Sequence, residues 1–258
     1  MEEFKVLRYS KKEWESDFFG TKFYKIFLQE ELEKRKLNEE LERFVREVDF
    51  DLVECNLDVS RISSAKILQQ NGFKLIDSRA AFKTLINSAD KAFDYPNEFP
   101  KYKIRNYLPK DNEKIQSLTL RNFTHNNNFT SRYKDCEFFK QGDSERYFEA
   151  WVNYSIGRED THISVATYDD EVVGFLIFEK TGLYKDFPIY KGILCAVETP
   201  HRGTKLHLSM QTFLFKQFEH KEFYLDNTTQ LSNYAVLKNY IRANRKLDEM
   251  ALTFLLKK

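Results

Sequence analysis

The residues best placed to do chemistry lie in the last third of this chain. After the apolar run Gly192-Ile193-Leu194-Cys195-Ala196-Val197 it reads Glu198-Thr199-Pro200-His201-Arg202-Gly203-Thr204-Lys205-Leu206-His207. A strand that turns tightly into a helix N-terminus aims several backbone N–H groups at one point, and the helix dipole adds positive potential there. Such a turn is an anion site suited to a pyrophosphate, and Arg202 and Lys205 would add charge to it. Farther on, Asp226-Asn227-Thr228-Thr229-Gln230-Leu231-Ser232-Asn233 leads into Tyr234 to Tyr240. Asn233 and Tyr240 are two helical turns apart and so share a face. A tyrosine with its ordinary pKa of about 10 carries its proton at neutral pH and can act as an acid. Each group also has a plainer alternative. The turn is then a surface connection, Asn233 a helix cap, and Tyr240 a core residue beside Val236, Leu237 and Ile241.

Two further groups stay open between chemistry and packing. Cys195 is a nucleophile or, on an apolar strand, a buried and inert thiol. Arg132, in Ser131-Arg132-Tyr133, meets a diphosphate or is a solvated loop residue. Five histidines show no metal-ligand spacing, so no metal is expected.

Elements must hold these residues, and composition permits them. With 258 residues, the chain is long enough for one large or two smaller domains. Forty-one Lys and Arg against 40 Asp and Glu leave a formal charge of +1, without the basic excess of a nucleic-acid binder. Three cysteines, Cys55, Cys136 and Cys195, lie far apart without a C-x-x-C, which argues against a disulfide framework or zinc site. No apolar run approaches the ~18 residues of a membrane span. Met1-Glu2-Glu3-Phe4-Lys5 lacks the basic and apolar regions of a signal peptide, so a cytoplasmic location is expected.

Periodicity predicts a strand over 22–28, a helix carrying Leu37, Leu41, Phe44, Val45 and Val48, and a strand over 52–55. A helix capped by Ser60 and stopped by Asn71-Gly72 follows, then two strands over 73–76 and 81–86. Polar residues and two prolines mark a linker at 91–101. Beyond it come a strand at 102–105 and a helix after Pro109. A polar stretch over 125–142 and a helix near 147–156 follow. Two strands joined by Asp169-Asp170 come next, then a strand over 192–197 and a helix over 205–218. A strand over 223–225, a helix over 234–242 and a strand over 250–256 end the series. The order strand, loop, helix, strand occurs at 52–86 and again at 223–256, as a duplication or as two ordinary βαβ-like units. A shift of about 170 places Gln70 opposite Tyr240.

Val197, Pro200, Arg202 and Gly203 resemble motif A of the GNAT acetyltransferases, a strand followed by V-x-P-x-x-R-G-x-G-x-G/A, with the proline here one position later. Lys205 and His207 stand at its second and third glycines, which implies a different placement or weaker binding of a pyrophosphate. Thr229-Gln230, Asn233 and Tyr240 resemble the T-Q-x-x-N then Tyr motif of the GNAT C-terminal half. Trp14 to Gly20, Asn71-Gly72-Phe73, Ser131-Arg132-Tyr133, Tyr147, Trp151 and the ending from Tyr240 are similar to the dTDP-fucosamine N-acetyltransferase subfamily.

That resemblance implies an α/β (α+β) GNAT fold, with a central mixed twisted sheet flanked by helices. A smaller, partial GNAT-like N-terminal domain (1–90) would precede it across the linker, leaving 102–258 catalytic. It implies an acyltransferase that moves an acyl group from acetyl-CoA or a longer acyl-CoA to the amine of a dTDP-linked amino sugar, for cell-surface polysaccharide. Cys195, Val197, Arg202, Gly203, Thr204, Lys205, Leu206, His207 and Asn233 would contact the CoA. Ser131, Arg132 and Tyr133 would contact the sugar nucleotide, and Tyr240 would protonate the leaving thiolate. The base stays open between Glu198, His201 and a water, and a homodimer is expected by analogy. Two alternatives remain: a GNAT acting on another small-molecule or peptide amine, and an inactive GNAT-like binding protein.

Overall fold

A computed structural model describes residues 6–29, 33–87, 101–124, 131–135 and 137–258. Most of the expected linker, Cys136 and part of the polar stretch before Gly142 lie outside the described residues. In chain order the first elements are β1 (Leu7–Lys11), α1 (Glu13–Phe19), β2 (Phe23–Leu28), α2 (Lys34–Glu47), β3 (Leu52–Asp58), α3 (Ile62–Gln70) and β4 (Lys74–Asn87). Next come β5 (Tyr102–Asn106), α4 (Asn112–Phe123), α5 (Asp143–Ile156), β6 (Thr161–Tyr168), β7 (Glu171–Tyr184) and β8 (Phe187–Val197). The last are α6 (Leu206–Phe215), β9 (Glu222–Gln230), α7 (Tyr234–Arg242) and β10 (Leu247–Lys257).

These elements form two compact units. The first collects Met1–Ala80, Ser131–Asp143 and Glu249–Lys258; the second collects Ala81–Thr130 and Ser144–Asp248. In the first unit β1 pairs antiparallel with β2, β2 parallel with β3, and β3 antiparallel with β10. Its core is apolar residues of β2, β3 and β10, among them Ile26, Val53, Cys55, Leu57 and Phe254, under Leu37, Leu41 and Phe44 of α2 and Leu68 of α3. The alternation of β3 sends Glu54 and Asn56 to the other face.

In the second unit β5, β6, β7 and β8 are successive antiparallel neighbours, and β8 pairs parallel with β9. Helices cover both faces. Ile115, Leu118, Phe148 and Val152 of α4 and α5 pack on one side with Val165, Phe175 and Leu194. Leu206, Met210 and Leu214 of α6 pack on the other with Phe178, Tyr190 and Leu225. This mixed sheet flanked by helices is the fold class that the sequence implies.

Several expectations change in detail. Ser60 does not cap α3: its N–H and hydroxyl bond to Asp58, and Arg61 holds the cap position. The two strands expected over 73–76 and 81–86 are one strand, β4, because the polar Asp77-Ser78-Arg79 between them carries no turn residue. Strands β8 and β9 are also longer than expected. Lys185 and Asp186, at φ 50° and 67°, form a second two-residue hairpin like Asp169-Asp170, at 48° and 64°.

Helices α3 and α7 end alike. In α3 the Phe73 N–H donates to the Leu68 carbonyl at 3.0 Å, and Gly72 has φ 85°. In α7 the Arg245 N–H donates to the Tyr240 carbonyl at 2.9 Å, and Asn244 has φ 54°. Such left-handed C-terminal caps are common, and α1 ends the same way, with the Thr21 N–H on the Ser16 carbonyl at 3.0 Å and Gly20 at φ 63°. Aligned on this cap, α3 carries Leu68 opposite Tyr240 of α7.

Candidate active site

Strands β8 and β9 pair at three positions, Ile189↔Tyr224, Tyr190↔Leu225 and Lys191↔Asp226. Beyond these β8 continues to Val197 and β9 to Gln230 without further pairing to each other, so the strands part. The divergence begins at Gly192, where a Cβ would collide with the amide of Asn227. One residue later a bulge leaves Ile193 without an opposite number on β7. The gap exposes β8 backbone groups to anything inserted between the strands.

At the end of β8 the Glu198 N–H donates to the Val173 carbonyl, and a single 3-10 turn, Thr199–His201, leads outward. Arg202 folds back, its Nε donating to the Val197 carbonyl at 3.1 Å and its guanidinium reaching Asn122. The Thr204 hydroxyl donates to the His201 carbonyl at 2.6 Å. Gly203 has φ 81°, and Lys205, directly before α6, has φ 58°. Lys205 thus keeps the left-handed backbone that a glycine would supply, at a cost of about 1 kcal/mol. The first N–H groups of α6, at Leu206, His207 and Leu208, are those that helix geometry leaves without intrahelical acceptors.

Tyr240 is buried on α7, with its ring 5.1 Å from Phe82 and 6.4 Å from His207. Burial, and then the neighbouring Cys195, push its phenol well above the usual range, so the proton stays in place. Burial pushes the Cys195 thiol up to about 12, which disfavours the thiolate that covalent catalysis requires. His207 is held neutral: burial, and then Arg245, lower its pKa to about 4. The Arg245 guanidinium donates to Gln211 Oε1 at 2.8 Å. His207 Nδ1, Gln211 Nε2 and Asn227 Oδ1 are buried without a hydrogen-bond partner. Sequence reasoning missed Gln211, Arg245 and Asn227. Gln211 was detectable as a polar residue one turn after His207 on the same helix face.

Both proposed bases are engaged elsewhere. Glu198 pairs with Arg121 at 2.8 Å and Lys114 at 3.2 Å; burial works against its charge, but these cations hold the carboxyl below the usual range. His201 shares a hydrogen bond of 3.0 Å with the Tyr102 hydroxyl and packs on Tyr168. Asn233 caps α7, its Oδ1 accepting from the Val236 N–H at 3.4 Å. Ser131, Arg132 and Tyr133 belong to the first unit rather than to the one that holds Tyr240. There Arg132 pairs with Glu54 at 3.0 Å, and the Ser131 hydroxyl accepts from the Tyr133 N–H. No group of metal-ligating side chains occurs among the described residues, and no helix among them is long and apolar enough to cross a membrane.

No protein-family model and no curated protein matches this chain. Solved structures do. A conserved protein of unknown function from Staphylococcus epidermidis aligns over 93% of this chain and 86% of its own, with a TM-score of 0.63 at 9% identity. A tandem GNAT protein from the clavulanic acid biosynthesis pathway aligns over 91% and 75%, at 0.56 and 10%. A GCN5-related N-acetyltransferase from Sphaerobacter thermophilus aligns over 91% and 72%, at 0.56 and 13%. Identities this low establish the fold alone, and that fold is the one of the GCN5-related N-acetyltransferases.

Proposed function

We propose that this protein is an N-acyltransferase that moves an acyl group from acyl-CoA to an amine. The observation that carries the reading is Tyr240, buried and protonated beside Cys195 where β8 and β9 part. A pantetheine arm laid along the unpaired edge of β8 brings its thioester to this point, and the turn at Gly203 to His207 faces its phosphates. Backbone N–H groups near Cys195 to Val197 polarise the carbonyl. The neutral amine attacks, the C–N bond forms and the C–S bond breaks. Tyr240 gives its proton to the departing thiolate, and the proton released by the amine returns through water to the Tyr240 phenolate. Positioning supplies most of the acceleration, since a thioester is already activated.

Catalysis belongs to residues 102–258 in this reading. The N-terminal part, 1–90, lacks the acid, having Leu68 at the equivalent position. The acceptor in this reading is the amine of a dTDP-linked amino-dideoxy sugar. What supports this finer step is the sequence resemblance. Incubation with dTDP-3-amino- and dTDP-4-amino-6-deoxyhexoses and a panel of acyl-CoAs, following free thiol and product mass, tests it. Transfer to one sugar that Tyr240→Phe abolishes supports the whole reading. Acyl-CoA binding without transfer to either sugar discards the sugar nucleotide. Absence of acyl-CoA binding discards catalysis and favours an inactive GNAT-like binding protein.

A further inference from the structure

Within the second unit, α6 meets the end of α7 at successive turns of one face. The His207 ring lies 6.4 Å from the ring of Tyr240. One turn along α6, Gln211 Oε1 accepts from the Arg245 guanidinium at 2.8 Å. His207, Gln211 and Phe215 are spaced by four and so share that face. Exposure falls along it from the helix N-terminus: Lys205 is exposed, His207 half-buried and Gln211 2% exposed, with Arg245 8% exposed beside it. Behind the bridge, Phe215 lies 5.8 Å from the same guanidinium and packs on Phe223 at 5.2 Å. Access along this face therefore starts at the anion-binding turn, passes Tyr240 and stops at the Gln211–Arg245 bridge.

The bridge has a fixed polarity. A guanidinium only donates, so the Gln211 amide must turn its oxygen toward Arg245 and its nitrogen away. That nitrogen, Nε2, is buried and has no hydrogen-bond partner, and the same holds for His207 Nδ1 one turn nearer the opening. The third such atom named above, the acceptor Asn227 Oδ1, is on β9 against Gly192, outside the bridge. A buried amide that leaves hydrogen bonds unmade is destabilising, and a methionine at 211 would avoid that cost. The bridge thus offers an amide donor next to a positive charge, which suits a group that only accepts. A carboxylate is such a group. The methyl end of an acetyl or butyryl chain would leave Nε2 unpaired.

We propose that the acyl group this protein takes from its donor ends in a carboxylate, held by Gln211 and Arg245 about one helical turn, ~5 Å, beyond Tyr240. The inference rests on the acyl-transfer reading, which sets the thioester at Tyr240, and it names the class of donor: the CoA thioester of a short dicarboxylic acid. Gln211 is then a specificity-determining residue, and Arg245 supplies the charge.

Calorimetric titration of the full chain with succinyl-CoA, butyryl-CoA, 3-hydroxybutyryl-CoA and acetyl-CoA tests it, for the wild type, Gln211→Met and Gln211→Glu. Succinyl and butyryl have the same four-carbon length and differ in the carboxylate. The wild type is expected to bind succinyl-CoA about tenfold or more tightly than butyryl-CoA, the effect of one charge-assisted hydrogen bond. Gln211→Met brings the two affinities within about threefold. Gln211→Glu sets a carboxylate of the protein's own beside Arg245, so the preference for succinyl-CoA disappears while the unfolding temperature stays equal to the wild type or rises. That thermal readout separates lost selectivity from a damaged fold. Equal wild-type affinities for succinyl-CoA and butyryl-CoA, tighter binding of 3-hydroxybutyryl-CoA than of succinyl-CoA, or a preference for succinyl-CoA that survives in Gln211→Glu overturns the proposal and leaves the transferase standing. Failure of all four thioesters to bind overturns both.

Discussion

Leu68 and Tyr240 stand alike at two helix ends: the carbonyl of each accepts the N–H five residues on, past a left-handed capping residue. Leu68 is an apolar contact in the core of the first unit. Tyr240 holds a phenol proton where two strands part. Within the acyl-transfer reading, Tyr240→Phe lowers kcat by about 10²–10⁴-fold, the usual range for a positioned acid, while acyl-CoA affinity stays within about twofold. Steady-state kinetics and calorimetric titration check the two halves of this expectation. A kcat within threefold of wild type would remove Tyr240 from the chemistry.

The Cys195 thiol, pushed up to about 12 by burial, is expected to resist alkylation. At pH 8 iodoacetamide leaves Cys195 and the buried Cys55 unmodified in the folded protein, as digestion and mass mapping will show. Cys195→Ala retains most of the transferase activity. Its complete inactivation would point to a covalent intermediate instead of direct attack.

Gly192→Ala places a methyl group on the Asn227 amide. Either Asn227 moves or the strands separate further, and the expected loss of stability is about 1–3 kcal/mol. Chemical denaturation measures it. Gly192→Ala combined with Asn227→Ala recovers much of the loss, because the double variant removes the collision.

Gly203 and Lys205 share a left-handed backbone but answer differently to substitution. A Cβ at Gly203 meets nothing within 4 Å, so Gly203→Ala reports backbone strain alone, about 1 kcal/mol. Lys205→Gly relieves strain of the same kind, offset by the greater freedom of glycine in the unfolded chain, and leaves the unfolding temperature equal or higher. A lower temperature would show that the Lys205 side chain holds the turn.

Acid weakens the protein through two groups. The Glu54 carboxyl is held near 2: burial raises it, but Arg132, Lys12 and Lys25 outweigh that. A depressed carboxylate stabilises the fold above its unfolded value of about 4.3, and that contribution is lost as pH falls toward 2, roughly 3 kcal/mol in all. His207, lowered to about 4, adds an earlier loss, since the unfolded chain takes up its proton from pH 6.5 downward. Denaturant midpoints therefore fall from pH 6.5 to 2. Glu54→Gln flattens the lower part of that curve and leaves the upper part intact.

How much of this was legible depended on range. Asp169-Asp170 between alternating strands specified its hairpin locally, and Asn71-Gly72 specified a helix end. The strand, turn and helix around Gly203 were legible for the same reason. The separation of β8 from β9 was not, because it depends on which residues pair between strands more than thirty positions apart. Gln211 and Arg245 meet only through tertiary packing. Arg132 carried the right charge for a ligand, yet it pairs with Glu54, nearly eighty residues upstream, a pairing that no local pattern announces.

The first unit takes one strand from residues 249–258, set between β3 and β4 and paired antiparallel along β3 from Asp58 back to Leu52. During synthesis this unit therefore waits. β1, β2 and β3 leave the ribosome early, but the edge of β3 has no partner until nearly two hundred more residues have been added. In the interval that edge is open to pairing with other chains, a hazard for any late-closing sheet. The second unit has no such delay. Its strands β5 to β9 follow one another in the chain and can form while the first unit still lacks the strand that closes it.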